Sequence, residues 1–264
     1  NLLIYWQPGS KINCYFHIIV SMYYCTNCIT TVLRVKGFSG IMNKNPTLMK
    51  FSGASVSCFT HRIPHVPNLD IWKDKMQPRR DEAALERIVQ VTQLEYQSLY
   101  AHHNHINQRA TRWHLVNRIL PGLALYRSLL GEHHQKDRAL SEAEALIWAS
   151  EERRYKSFLQ LLHIFPGLLV LRGVMTLQMR LYFPSRTWEI TWLEKSHRRI
   201  AFHIRRCIYL DILSDCGAAE LTPVFCKMDE YLANAFPAHI GFARTKTLAS
   251  GADCCDFCYF LKEP

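Results

Sequence analysis

At 264 residues, with 48% hydrophobic side chains and a formal net charge of +10, the chain can hold one large core or two small ones, and its composition excludes a fibrous or disordered class. The charge is uneven: within residues 1–75 eight Lys and Arg face only Asp70 and Asp74, whereas the remainder is only mildly basic. That larger part has no basic helix and no RNA-binding motif with interleaved aromatics, which argues against nucleic acid as a partner.

The cysteines fall into two sets, Cys14, Cys25, Cys28 and Cys58, then Cys207, Cys216, Cys226, Cys254, Cys255 and Cys258. A disulfide framework would distribute its crosslinks, so this grouping indicates a reducing, cytoplasmic setting with thiols free or functional. Residues 1–69 contain no Asp or Glu. Residues 1–75 therefore read as a poorly structured N-terminal extension that need not belong to the native product, with Met76 as the natural start and 76–264 as the folded domain. Within the extension, Ile12 to Leu33 is uncharged and long enough to cross a bilayer, but Asn13, His17 and Asn27 make it a weak candidate span. Cys25-x-x-Cys28 has no second pair at metal-ligand spacing.

From Pro78 the pattern is helical. Asp81 and Glu82 open a helix carrying Leu85, Ile88, Val89, Val91, Leu94 and Leu99 and ending at His102, His103, Asn104 and His105. Those histidines do not share one helix face, so they read as a solvated helix end rather than a metal site. A second run, Gln108 to Leu130, is expected to break at Pro121-Gly122 and to stop at Gly131. Ser141 and Glu144 form a capping-box signature for a third helix reaching about His163. Pro166 opens a fourth, very apolar one with Leu168, Leu169, Leu171, Val174, Met175, Leu177 and Met179, expected to be the central core helix.

After Pro184 the period shortens to two. Trp188, Ile190 and Trp192, then Ile200, Phe202 and Ile204, mark two strands with one buried face each. Helices follow at Cys207 to Asp215, with Gly217 ending it, and at Leu221 to Phe236. Ile240 to Thr247 and Cys255 to Phe260 close the chain as a hairpin around Ser250-Gly251-Ala252-Asp253. The fold class is α+β, N-terminal helices packed on a small, mostly antiparallel sheet ending in that hairpin.

The hairpin gathers Arg244, Thr245, Thr247, Cys255 and Asp256. Ile240, Phe242 and Arg244 share a face, so Arg244 points into the core or a cavity, where its partner is a structural Asp (Asp229 or Asp256) or a substrate anion. Cys207 follows Arg205 and Arg206 and begins a helix, a setting that favours thiolate; otherwise it is a small apolar residue at a junction. Cys226 and Asp229 share a helix face. Strand alternation sends Cys255 and Asp256 to opposite faces unless a bulge intervenes. Cys207, Cys226 and Cys255 with His203 lack the short-spaced pair a zinc site uses, so no metal is expected.

The series Ile119-Leu-Pro-Gly-Leu-Ala-Leu-Tyr-Arg127, Arg206-Cys-Ile-Tyr-Leu-Asp211, Glu220-Leu-Thr-Pro-Val-Phe-Cys-Lys-Met-Asp229, Arg244-Thr-Lys-Thr-Leu-Ala-Ser-Gly251 and Cys255-Asp-Phe257 resembles the L-2-amino-thiazoline-4-carboxylic acid hydrolase family from about Met76 to Phe260. The resemblance implies a cofactor-free hydrolase that opens a small cyclic amidine, 2-aminothiazoline-4-carboxylate, on a route to L-cysteine. On this chain Cys207, Asp229, Cys255 and Asp256 would serve catalysis, and Arg244, Thr245, Thr247 and Cys226 the substrate. Cys258 stands where the family usually has Arg. The ending Gly251-x-x-x-Cys255-x-Phe257 also looks like that of 4-vinyl-reductase-type sensor domains, so the alternative is a module that binds a small ligand without turning it over.

Overall fold

A computed structural model describes residues 64–164 and 168–263. The candidate span Ile12 to Leu33, the Cys25 and Cys28 pair and Pro166 lie outside the described residues. Among the described residues no helix is long and apolar enough to cross a membrane.

Ordered elements begin ahead of Met76. Helix α1 (Leu69–Met76) carries Trp72 and Met76 four apart on one face, and both are buried. A boundary at residue 75 would cut through this helix, in which Asp70, Lys73, Asp74 and Lys75 mask a two-residue apolar stripe. Pro78 then forces a short turn, and Asp81 caps α2 (Glu82–His102), accepting from the Ala84 N–H at 2.7 Å. Leu85, Ile88, Thr92, Tyr96 and Leu99 make the buried stripe of α2, while Val91 and Leu94 face solvent. At its end His102, Asn104 and His105 are exposed, as expected of a solvated terminus, whereas His103 is buried, with Nδ1 at 2.9 Å from the Leu99 carbonyl.

Helix α3 (Arg109–His114) runs through one widened π-turn (Leu115–Ile119) into α4 (Leu120–His133). Pro121 therefore does not break the path. It lies in the first turn of α4, where its missing N–H is tolerated, and the widened turn before it absorbs the misfit. Helix α4 also passes Gly131 and ends at His134, which takes the left-handed conformation. Every residue from Leu120 to Tyr126 is buried, as are Ser128 and Leu129, so α4 is the central helix.

Helix α5 (Lys136–Ile164) starts well before Ser141. The carboxylate of Glu144 goes to Lys227 and Tyr231 across the surface, so the expected capping box is not formed. Glu142 instead ties α5 to its neighbours, accepting from Arg80 at 2.5 and 2.6 Å and bonding His133 Nε2 at 2.6 Å. Helix α6 (Leu168–Tyr182) buries Leu168, Leu171, Val174 and Met175 but exposes Leu181. It is a one-sided covering helix, not the core. Its greater apolar content reflects a dense single stripe, whereas α4 is buried all round.

Four antiparallel strands follow in the order β1-β2-β4-β3: β1 (Trp188–Lys195), β2 (Arg199–Cys207), β3 (Ile240–Ala243) and β4 (Cys255–Leu261). Between β2 and β3 lie α7 (Ile208–Asp215) and α8 (Thr222–Asn234). On the inner face Phe202 and Phe257 stack with centroids 5.0 Å apart. β3 stops before Arg244, shorter than the period-two pattern suggests, because the Thr245 and Lys246 N–H groups leave the ladder to bond Asp256.

One helix gives two opposite outcomes for the same substitution. A methyl added at Gly122 would sit 2.7 Å from Phe225 Cζ and 3.2 Å from Ile147 Cδ1, so Gly122→Ala should cost about 1–3 kcal/mol through overpacking. At Gly131 a methyl meets nothing within 4 Å. Gly131→Ala should stabilise by about 0.4–1 kcal/mol by restricting the unfolded chain, a contrast that urea titration of the two variants resolves.

Candidate functional site

Where the inner face of the sheet meets the π-turn, α5, α7 and α8, a cavity of about 100 Å3 remains, room for several waters. Helix α8 supplies Thr222, Cys226 and Asp229, which recur at four and three residues and so share one face. The strands supply Ile204 and Cys207 at the end of β2 and Cys255 and Phe257 at the start of β4. Arg244, just past β3, reaches back over the Phe257 ring at 5.2 Å.

Arg244 is nearly consumed by the protein. Its guanidinium donates to Asp229 Oδ2 at 3.2 Å, the Cys226 carbonyl at 3.0 Å and Glu230 Oε1 at 2.6 Å, and its side chain is 3% exposed. Asp229 differs: it leaves 46% of its side-chain surface accessible and lines the cavity. Burial pushes its carboxyl up to about 6, with Arg244 and Arg118 pulling the other way. A carboxylate tuned close to neutrality, open to a small hollow, is suited to take and return a proton.

The thiols are tuned otherwise. Burial raises Cys207 to about 11, outweighing the Leu210 and Tyr209 N–H groups at the start of α7, and Cys255 and Asp229 add to the rise. Arg205 and Arg206 do not help, for both are exposed, Arg206 bonding Asp211 and the Arg186 carbonyl, each at 3.0 Å. The expected thiolate environment is thus absent at Cys207. Burial likewise lifts Cys226 to about 12 and pushes Cys255 up, the latter accepting from the Leu248 N–H at 3.2 Å.

Three of the residues expected at the site lie elsewhere. The β2 and β4 register runs unbroken from Arg199 to Ile204 without a bulge, so Asp256 stays on the outer face opposite His203. There it accepts from the Thr245 hydroxyl at 2.6 Å and from the Thr245 and Lys246 N–H groups at 2.9 and 2.8 Å. Burial works against this carboxylate, yet those bonds hold it below its ordinary range. Thr247 caps the turn Leu248–Ser250. Arg244, Asp229, Cys207, Cys226 and Cys255 do meet; His203, on the outer face, does not join the thiols. Among the described residues no group of three His, Cys, Asp or Glu is placed to hold a metal.

The helical wall holds a polar network that sequence reading missed. Arg118, in the π-turn, donates to Glu151 and, at 2.5 Å, to the Tyr155 hydroxyl. His114 Nε2 lies 3.0 Å from the Tyr182 carbonyl, which can only accept, so that nitrogen carries the proton. Burial and then Arg118 hold the imidazole neutral, so Nδ1 accepts from the Tyr209 hydroxyl at 2.8 Å. A lone Arg inside Leu115-Val-Asn-Arg-Ile-Leu120 was the available signal, and π-turns recur at functional sites.

The family model of the L-2-amino-thiazoline-4-carboxylic acid hydrolases matches residues 116–259, more than half of the chain. The chain belongs to this family. Four of the five segments quoted above bring Cys207, Tyr209, Thr222, Cys226, Asp229, Arg244, Cys255 and Phe257 to the cavity wall; Ile119–Arg127, in the central helix, supplies no lining residue. Among solved structures the chain is similar to the Fe(II) unliganded H-NOX protein from K. algicida, at 12% identity and a TM-score of 0.36, over 75% of this chain and 96% of that one. A point mutant of the same protein matches at 12% identity and 0.37, over 76% and 97%. No curated protein matches. Cys258 sits on the outer face beside Ala201 and Ala243, away from the cavity.

Asp256→Ala should therefore lower the melting temperature by loosening the hairpin and leave turnover near the wild-type rate. Paired thermal melts and rate assays of that variant check this.

Proposed function

We propose that the chain hydrolyses a small cyclic amidine of the 2-aminothiazoline-4-carboxylate type, with Asp229 as the proton-transferring group. The observation that carries this reading is an accessible carboxylate, Asp229, that lines the cavity and is held there by Arg244 at 3.2 Å, with desolvation pushing its carboxyl up. Water, deprotonated by Asp229, adds to the amidine carbon and forms the C–O bond. The ring C–N bond then breaks, its electron pair going to nitrogen; Asp229 returns the first proton there, and the hydroxyl proton of the adduct follows to the same amine as the carbonyl forms. The product is a thiocarbamate with a free amine. Arg244, itself fixed by Cys226 and Glu230, positions Asp229 and keeps it ionised often enough to act.

The neutral thiol of Cys207 favours this water route over thiolate attack, because a nucleophile at about 11 is ionised only to a minute fraction near pH 7. Turnover of 2-aminothiazoline-4-carboxylate by the purified chain tests the reading, and Cys207→Ala separates the routes. Retention of most of the rate supports Asp229; a loss as deep as that of Asp229→Asn would instead assign a covalent thiol mechanism. Stabilisation by a compound recovered intact would support the sensor alternative.

A further inference from the structure

We infer that the cavity holds a carboxylate-binding subsite, in which Tyr155 and Thr222 donate to the anion beside the cationic Arg118. The inference rests on the reading of the cavity as a hydrolase site and names the part of the substrate that each wall receives.

Arg244 has little left to offer a substrate anion, being held by two carboxylates and a carbonyl. The sign of charge then divides the cavity. At the sheet end two carboxylates, Asp229 and Glu230, share the one guanidinium of Arg244. At the helical end two guanidiniums, Arg118 and Arg154, share the one carboxylate of Glu151. An amidinium is therefore favoured at the first end and a carboxylate at the second.

Two unspent donors line the cavity, Tyr155 beside Arg118 and Thr222 on the α8 face that also carries Cys226 and Asp229. Tyr155 accepts from Arg118 at 2.5 Å and donates to no acceptor among the described residues. Thr222, 2% exposed and in the first turn of α8, has a hydroxyl without a hydrogen-bond partner among them, and it lines the cavity. Leaving a buried hydroxyl unpaired is costly, and an anion arriving between the two hydroxyls would satisfy both. Both belong to segments inside the family match, and neither adds net charge, so they select a carboxylate by geometry beside a cation that is already balanced.

Two probes separate the ends: thiazole-4-carboxylate, which has the acid but no amidine, and 2-aminothiazoline, which has the amidine but no acid. Calorimetric titration of the full chain should show the double variant Tyr155→Phe with Thr222→Val weakening thiazole-4-carboxylate by about ten- to a hundredfold, from loss of bonds to a charged group, with 2-aminothiazoline unchanged. Asp229→Asn should give the reverse pattern. Each single variant, with its melting temperature, guards against a folding artefact. Equal binding of thiazole-4-carboxylate by wild type and double variant, absence of its binding to wild type, or parallel weakening of both probes would overturn the subsite. If the probes behave as expected while 2-aminothiazoline-4-carboxylate is bound but never opened, the subsite stands and the hydrolase reading falls.

Discussion

Asp229→Asn should reduce kcat on 2-aminothiazoline-4-carboxylate by about 10²–10⁴-fold, the usual worth of a positioned proton-transfer group. Asparagine keeps the size and a hydrogen bond to Arg244 but cannot accept the proton. In the wild type, kcat/KM should rise as pH increases through about 6 and then level, because Asp229 acts as base only once ionised; the variant should lack that limb. The stability effect has the opposite sign. A carboxyl whose folded pKa lies above its unfolded value contributes stability that is full below the unfolded pKa and is lost as pH rises through about 6. At pH 7 the neutral amide should therefore leave the melting temperature no lower than wild type, with Glu230 still pairing Arg244. Lost rate without lost stability is the mark of a residue held in place for chemistry.

Glu151→Ala should be the most destabilising single change in the helical wall, costing about 3–5 kcal/mol, because it strands buried guanidiniums without their counter-ion. The Glu151 side chain is 5% exposed, and Arg118 and Arg154 both lean on it. Arg118 keeps its charge only because Glu151, Tyr155 and Tyr209 outweigh the penalty of burial. The cost arises from breaking the pair rather than from the pair's net worth. Replacing both members by apolar residues, Arg118→Met with Glu151→Leu, should therefore unfold at a higher denaturant midpoint than Glu151→Ala alone. A double variant no more stable than Glu151→Ala would show that the helices depend on the charges themselves.

The fold class and the strand pattern could be read from the chain because each strand shows one clear period, Trp188 to Trp192 and Ile200 to Ile204. Alternation also carried the correct warning that Cys255 and Asp256 face opposite ways, and without a bulge the outer face kept Asp256. What could not be read was environment. Arg205 and Arg206 adjoin Cys207 in sequence yet point to solvent, so proximity along the chain misrepresented the field at the sulfur. Glu151 sits in Ser150-Glu-Glu-Arg-Arg154, a run that looks like a solvated face, and its partner lies on another helix. Helix α6 outranked α4 on apolar content, because counting hydrophobic residues does not reveal how many sides of a helix are covered.

Placement of Cys258 on the outer face bears on this member of the family. Its side chain does not line the cavity that Asp229, Arg244 and the helical wall share.

The most direct measurement is mass analysis of 2-aminothiazoline-4-carboxylate after incubation with the purified chain and, in parallel, with Asp229→Asn. Gain of the mass of one water with the wild type, absent with the variant, is the expected result. Recovery of the unchanged ring from wild-type protein that demonstrably binds it, or equal conversion by the variant, would contradict the account.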